Sequence, residues 1–346
     1  MTVSGRIASV VFALLCIPPV AAFDAFQPLP KQPPYPADNL PTKAKIALGK
    51  QLFFDRRLSD DRSVSCNSCH DLMSGGDDGR QVSVGAHGRH GQRSTPTLWN
   101  AAFYGALYQD GRSPSLEDQV QTHVLDADIM GLKDAAMLEQ RIAAIDGYRQ
   151  QFDRVFGGVN AVTSQNIARA IADFERTLIT PDSAFDRYLR GNKRALTDQQ
   201  QRGFATFIET GCAACHFWVN LAGPQPGLQL AMGEGFWELF PNYRGSRYEQ
   251  QYHLLDDPGR VRVTGVEGHR YMWRVPTLRN IVVTAPYFHN GSVATLDEAV
   301  RVMAKTQLNK EVAAADVKDI VAFLQSLGGR FPRIAPPELP PDAVVE

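Results

Sequence analysis

The chain has 346 residues, 44% of them hydrophobic and 21% charged, the composition of a folded globular protein long enough for two domains. Its 36 basic and 37 acidic side chains nearly cancel, which argues against nucleic acid or another polyanion as a partner.

Residues 1–22 read as a secretory signal: Arg6 is the only charge, Val10 to Ile17 form an apolar run, and Val20-Ala21-Ala22 offers small residues for cleavage. The run is too short to span a bilayer, and Ala13-Leu14-Leu15 before Cys16 is a poor lipidation context. No later stretch has the length of a membrane span. The expectation is an exported protein with no span after signal removal, periplasmic in a bacterium.

Residues 24–42 hold six prolines and predict an extended arm lying over another part of the protein. Ala44 to Phe54 has apolar residues at helical spacing. Thr163 is placed to cap a helix whose face is Ile167, Ile171, Phe174 and Leu178, with Pro181 as its stop. A charged stretch over 181–196 marks a boundary. Thr197 caps a second helix running into Cys212, and Val317, Ile320, Val321 and Leu324 line another before Gly328-Gly329. A glycine- and aromatic-rich insertion over 221–250 has no clear period, and alternating strands are scarce. The expected organisation is a signal at 1–22, an N-terminal domain at 23–185, a C-terminal domain at 186–332 and a tail at 333–346.

Apart from Cys16, the cysteines are Cys66, Cys69, Cys212 and Cys215, in "CNSCH" and "CAACH". A two-residue disulfide loop adds little to a chain of this size, and a thioredoxin-like pair leaves the repeated histidine unexplained. A zinc site joining the two distant pairs also leaves His70 and His216 without a role. C-x-x-C-H is the attachment pattern for c-type haem: the thiols add to the vinyl groups and the imidazole that follows meets the iron. Two copies using every mature cysteine predict two covalent haems.

With "ALGKQLFFDRRLS", "STPTLWNAAF", "DGRSPSLEDQV", "RVPTLRNIVVTAPYFHNGSVATLDEAV" and "MAKTQLNKEVAAADVKDIVAFLQSL", residues 40–330 resemble the bacterial di-haem cytochrome c peroxidases, a family that includes MauG-like protein-modifying enzymes. The resemblance implies a mostly α fold of two cytochrome-c-like helical domains, each with one covalent c-type haem, and a calcium ion at their interface. It places Met303 opposite His216 at the second haem; thioether opposite imidazole raises the reduction potential and makes that haem the electron entry point and store. MauG-like members typically have tyrosine there.

At the first haem, held by Cys66, Cys69 and His70, the resemblance implies a removable sixth ligand from the loop "VSVGAHGRHGQRSTPT". The usual histidine position falls on Ala86, so either His87 ligates after a one-residue slip or the site is open at rest. The family's distal glutamine is kept as Gln119. Its distal glutamate is replaced by Ile129, leaving Asp128 as the nearest carboxylate and His123 as another substitute, unless either is a surface residue. Its inter-haem tryptophan is replaced by Gln109, with Tyr108 and Trp99 nearby. Calcium falls to Ser94, where the family has asparagine, and to the carbonyls of Thr284 and Pro286; His289 is a family-typical residue near the second haem. The activity implied is reduction of hydrogen peroxide to water, with a small c-type cytochrome or cupredoxin as donor and a homodimer as a common assembly. The alternatives are a MauG-like oxidase that uses peroxide to modify a partner protein, and a di-haem electron carrier.

Overall fold

In the computed structural model, which describes residues 25–223 and 236–342, Thr42 accepts a hydrogen bond from the Lys45 amide and starts α1 (Lys43–Phe54). The expected signal lies outside the described residues, as does part of the insertion at 221–250. Thr163 caps α5 (Ser164–Arg176) through the Asn166 amide, as its position predicts. α5 ends at Thr177, before Pro181 is reached. Between α1 and α5 come α2 (Leu116–Leu125), α3 (Ala135–Ala143) and α4 (Asp146–Phe156). Leu48, Leu52 and Phe53 of α1 pack on Ile167, Ile171 and Phe174 of α5 in one buried cluster. The two helices approach so closely at Gly49 that an added Cβ would lie 1.8 Å from the Ala170 carbonyl oxygen.

The second half repeats this device. α6 (Ala184–Leu189), α7 (Asp198–Thr210), α8 (Leu296–Leu308) and α9 (Ala314–Gln325) enclose Phe185, Phe204, Phe207, Ile320 and Phe323. Thr197 and Gln200 form a reciprocal capping box at the start of α7. At Gly203 a Cβ would stand 1.8 Å from the Asp319 carbonyl oxygen of α9. Phe185 sits in this core, so the second half begins at α6. The sole sheet among the described residues pairs β1 (Trp237–Leu239) with antiparallel β2 (Met272–Arg274), Glu238 facing Trp273. No helix among the described residues is long and apolar enough to cross a membrane.

A single offset relates the segments that follow each haem motif. Pro96-Thr97-Leu98-Trp99-Asn100 answers Pro276-Thr277-Leu278-Arg279-Asn280. Asn100 and Asn280 are both left-handed (φ 67° and 60°), and each donates a side-chain hydrogen bond of 2.9 Å to Thr180 Oγ1. Tyr108 and Phe288 share a positive φ, and Ser115 and Thr295 cap α2 and α8 through their own hydroxyls.

The two ends of the chain change sides. Phe26, from the proline-rich arm, packs edge-on against Phe185 and Phe204 of the second core, and the Leu29 amide donates to Asp186 at 2.9 Å. At the other end Phe331 meets Trp99 of the first core with ring centres 5.0 Å apart. The Glu338 carbonyl accepts from Gln51, and Asp342 from Arg57 at 2.8 Å.

Candidate functional site

Ser65 caps a single helical turn, Cys66–Cys69, which sets both thiols on one side and turns His70 inward. The His70 ring is buried, and its Nδ1 lies 3.3 Å from the Gly76 carbonyl oxygen. Across from it stands His123 of α2, ring centre to ring centre 6.4 Å. His123 is partly buried, and burial, with His70 and Arg112 adding, pushes its pKa down to about 3. Its Nδ1 is 3.4 Å from the Tyr108 hydroxyl, and Arg112 lies over the Tyr108 ring at 3.4 Å.

Gln119 lies one turn before His123 on α2, its main-chain carbonyl accepting from Tyr108. Asp128 sits in the turn after α2, where its amide bonds Asp126. Ile129 packs against the first core and its carbonyl accepts from Ala86. The loop expected to supply a sixth ligand points its imidazole elsewhere. His87, with a left-handed backbone, bonds Asp60 through Nε2 at 2.8 Å and Asp61 through its amide, and its side chain is half-exposed. His90 is exposed.

The second motif opens on one apolar cavity lined by Cys212, Cys215, His216 and Met303, with Tyr104 and Gln109 at the side of the first half. His216 is buried, and its Nδ1 is 3.0 Å from the Leu221 carbonyl oxygen. Ser94, Thr284 and Pro286 line this same cavity. Gln109 donates to the Ser94 carbonyl at 2.9 Å, and the Ser94 amide donates to that of His289. His289 stacks on Trp273 at 4.3 Å, and burial lowers its pKa to about 4.

Trp99 is fully buried in the first core and serves packing. The aromatic that reaches both halves is Tyr104, which the sequence alone did not single out. Its ring lines the second cavity, packs on the first core, carries Arg274 at 3.6 Å, and its hydroxyl accepts from the Thr277 amide. The described part of the 221–250 insertion seats Trp237 over Gly111, where a Cβ would meet the indole nitrogen at 2.4 Å.

These side chains fit covalent haem and little else. The four thiols are unpaired, and burial raises their pKa, to about 11 for Cys69 and Cys212 and about 12 for Cys215, so none is an activated thiolate. Among the described residues no three His, Cys, Asp or Glu gather into a metal-binding group, which removes the shared zinc site. What remains is two thiols and one oriented imidazole, twice, each imidazole fixed by a main-chain carbonyl.

A family model described as di-haem cytochrome c peroxidase matches residues 43–194. The cytochrome c551 peroxidase of Pseudomonas aeruginosa is 38% identical over 91% of this chain and 87% of its own length. The chain belongs to the di-haem cytochrome c peroxidase family. The cytochrome c peroxidase of Escherichia coli is 40% identical over 88% of this chain, which spans 61% of that relative. A crystal structure of a MauG-like protein associated with microbial copper homeostasis shares 29% identity and a TM-score of 0.73, over 87% of this chain and 95% of that one. A di-haem family implies two c-type haems, one for each C-x-x-C-H.

Proposed function

We propose that the protein reduces hydrogen peroxide to water in the periplasm, with single electrons from a small c-type cytochrome or cupredoxin. The observation that carries this reading is the inequality of the two sites. One cavity brings a thioether, Met303, together with the imidazole of His216, whereas beside His70 stands a second imidazole, His123. When bound, the two haems supply one-electron transfer and, at the first, cleavage of the peroxide O–O bond: one H2O2 takes two electrons and two protons and leaves as two waters.

The side chains divide that work. Cys66 and Cys69 hold one haem and Cys212 and Cys215 the other, with His70 and His216 as proximal ligands. Met303 favours the reduced iron and makes the second site a store. Gln119 donates a hydrogen bond that orients peroxide, and Asp128, next to Ile129 in sequence, is the carboxylate that stands in for the missing distal acid. The step between the halves is short in sequence, since Tyr108 touches His123 while the adjacent Gln109 lines the second cavity. Arg274 pins this pair by donating to the Tyr108 carbonyl at 3.0 Å and to the Gln109 carbonyl from its amide. Calcium suits the hard oxygens of Ser94, Thr284 and Pro286, where it stiffens the seam between the halves. Asp77 adds a carboxylate here, since a Cβ at Gly75 would meet both Asp77 Oδ1 and the Val283 carbonyl oxygen.

The test is steady-state consumption of peroxide by the holoprotein with a reduced small cytochrome. Rapid turnover supports the reading. Slow turnover with a peroxide-driven mass change in a partner protein assigns the MauG-like reaction instead, and neither leaves an electron carrier.

A further inference from the structure

We propose that His123 is the sixth ligand of the first iron in the oxidised protein, the counterpart of Met303 at the second. This rests on the reading above in one respect, that the first motif carries a haem.

Spacing is the first ground. An imidazole nitrogen binds a transition metal at about 2 Å and lies about 1 Å from its ring centre, so two imidazoles sharing one ion have centres about 6 Å apart. The rings of His70 and His123 are 6.4 Å apart. A histidine standing back from the iron to serve only as a base would need a wider gap.

The internal repeat is the second ground, and it is independent of the first. The offset that lays Pro96 on Pro276, Asn100 on Asn280 and Ser115 on Thr295 lays His123 on Met303. Both residues occupy the same turn of a helix, α2 or α8, capped in the same way at its start. Hydrogen bonding is the third. Tyr108 donates its proton to the Gln119 carbonyl at 3.3 Å, so its oxygen is free to accept from His123 Nδ1 at 3.4 Å. That leaves the Nε2 lone pair for the iron, the arrangement by which an outer partner fixes a metal-bound imidazole. His87 meanwhile is engaged by Asp60 and Asp61 at the surface. No atom is transferred: the bond is dative, and peroxide gains the iron only when Nε2 leaves it.

The experiment is electron paramagnetic resonance of the oxidised holoprotein, with haem content measured in parallel. Two low-spin signals are expected from the natural protein. His123→Ala converts one of them to high-spin, added imidazole restores it, and His87→Ala changes neither. Should His123→Ala fail to take up two haems, His123→Met replaces it, expected to stay low-spin with a second thioether-to-iron absorption band. A high-spin signal in the natural protein, low-spin signals that survive in His123→Ala, or a second low-spin signal lost in His87→Ala overturns the assignment. Absence of covalent haem at Cys66 and Cys69 overturns the underlying reading instead.

Discussion

Glu175, at the end of α5, is buried, and burial raises its pKa from an ordinary 4.5 to about 8 against the opposing pull of Arg176. Between those two values the folded chain holds a proton that the unfolded chain has lost, so this group's contribution to stability falls as pH rises through that window. The slope is at most about 1.4 kcal/mol per pH unit. Glu175→Gln should flatten the urea midpoint of the holoprotein between pH 5 and 8 relative to the natural protein; parallel curves would mean that the carboxyl is already ionised. Arg279 is the opposite case, a cation with no exposed surface. It pairs with Asp186 at 3.0 Å and donates to the Val219 carbonyl, while Asp186 also receives the Leu29 amide. Arg279→Leu strands that carboxylate, and a loss of about 3–5 kcal/mol is expected by chemical denaturation.

At the scale of helices, the two closest crossings each turn on a glycine, Gly49 under Ala170 and Gly203 under Asp319. A methyl group at Gly203 must push α7 away from α9. Gly203→Ala should therefore cost about 1–3 kcal/mol or more, read as a lower thermal midpoint. These helices were legible in the sequence because their signals are local: Thr163 and Thr197 stand at the starts they were expected to cap, and Val317, Ile320 and Leu324 do face a core. The haem motifs were legible for the same reason. His123 was read there only as a substitute for the distal acid, because its place beside His70 depends on how α2 packs, and no neighbour in sequence reports it. Laying Pro96–Asn100 on Pro276–Asn280, the repeated segments that follow the motifs, would have set His123 beside Met303 before any coordinates existed. Trp99, near the inter-haem position in sequence, is a packing residue, held by the edge of Phe331 from a distant segment.

Across the whole molecule, the halves meet through charges as well as through the Tyr108–Gln109 segment. Arg93 binds Asp110 of its own half at 2.5 Å and Asp257 of the other at 2.7 Å, with Trp273 beneath its guanidinium at 4.8 Å. The exchanged ends add to this seam. Removing residues 330–346 strips Phe331 from Trp99 and the tail's acceptors from Gln51 and Arg57. Calorimetry should show the first half melting earlier while the second keeps its midpoint; equal shifts of both would mean that the halves unfold as one unit.

That crossing of ends also orders events as the chain emerges. The arm bearing Phe26 and Leu29 comes out first yet finds no seat until α6, α7 and α9 exist, and the first core stays unlatched until Phe331 arrives near the very end. The last contacts of both cores therefore form only once the far end of the chain has been made, well after each C-x-x-C-H has been synthesised.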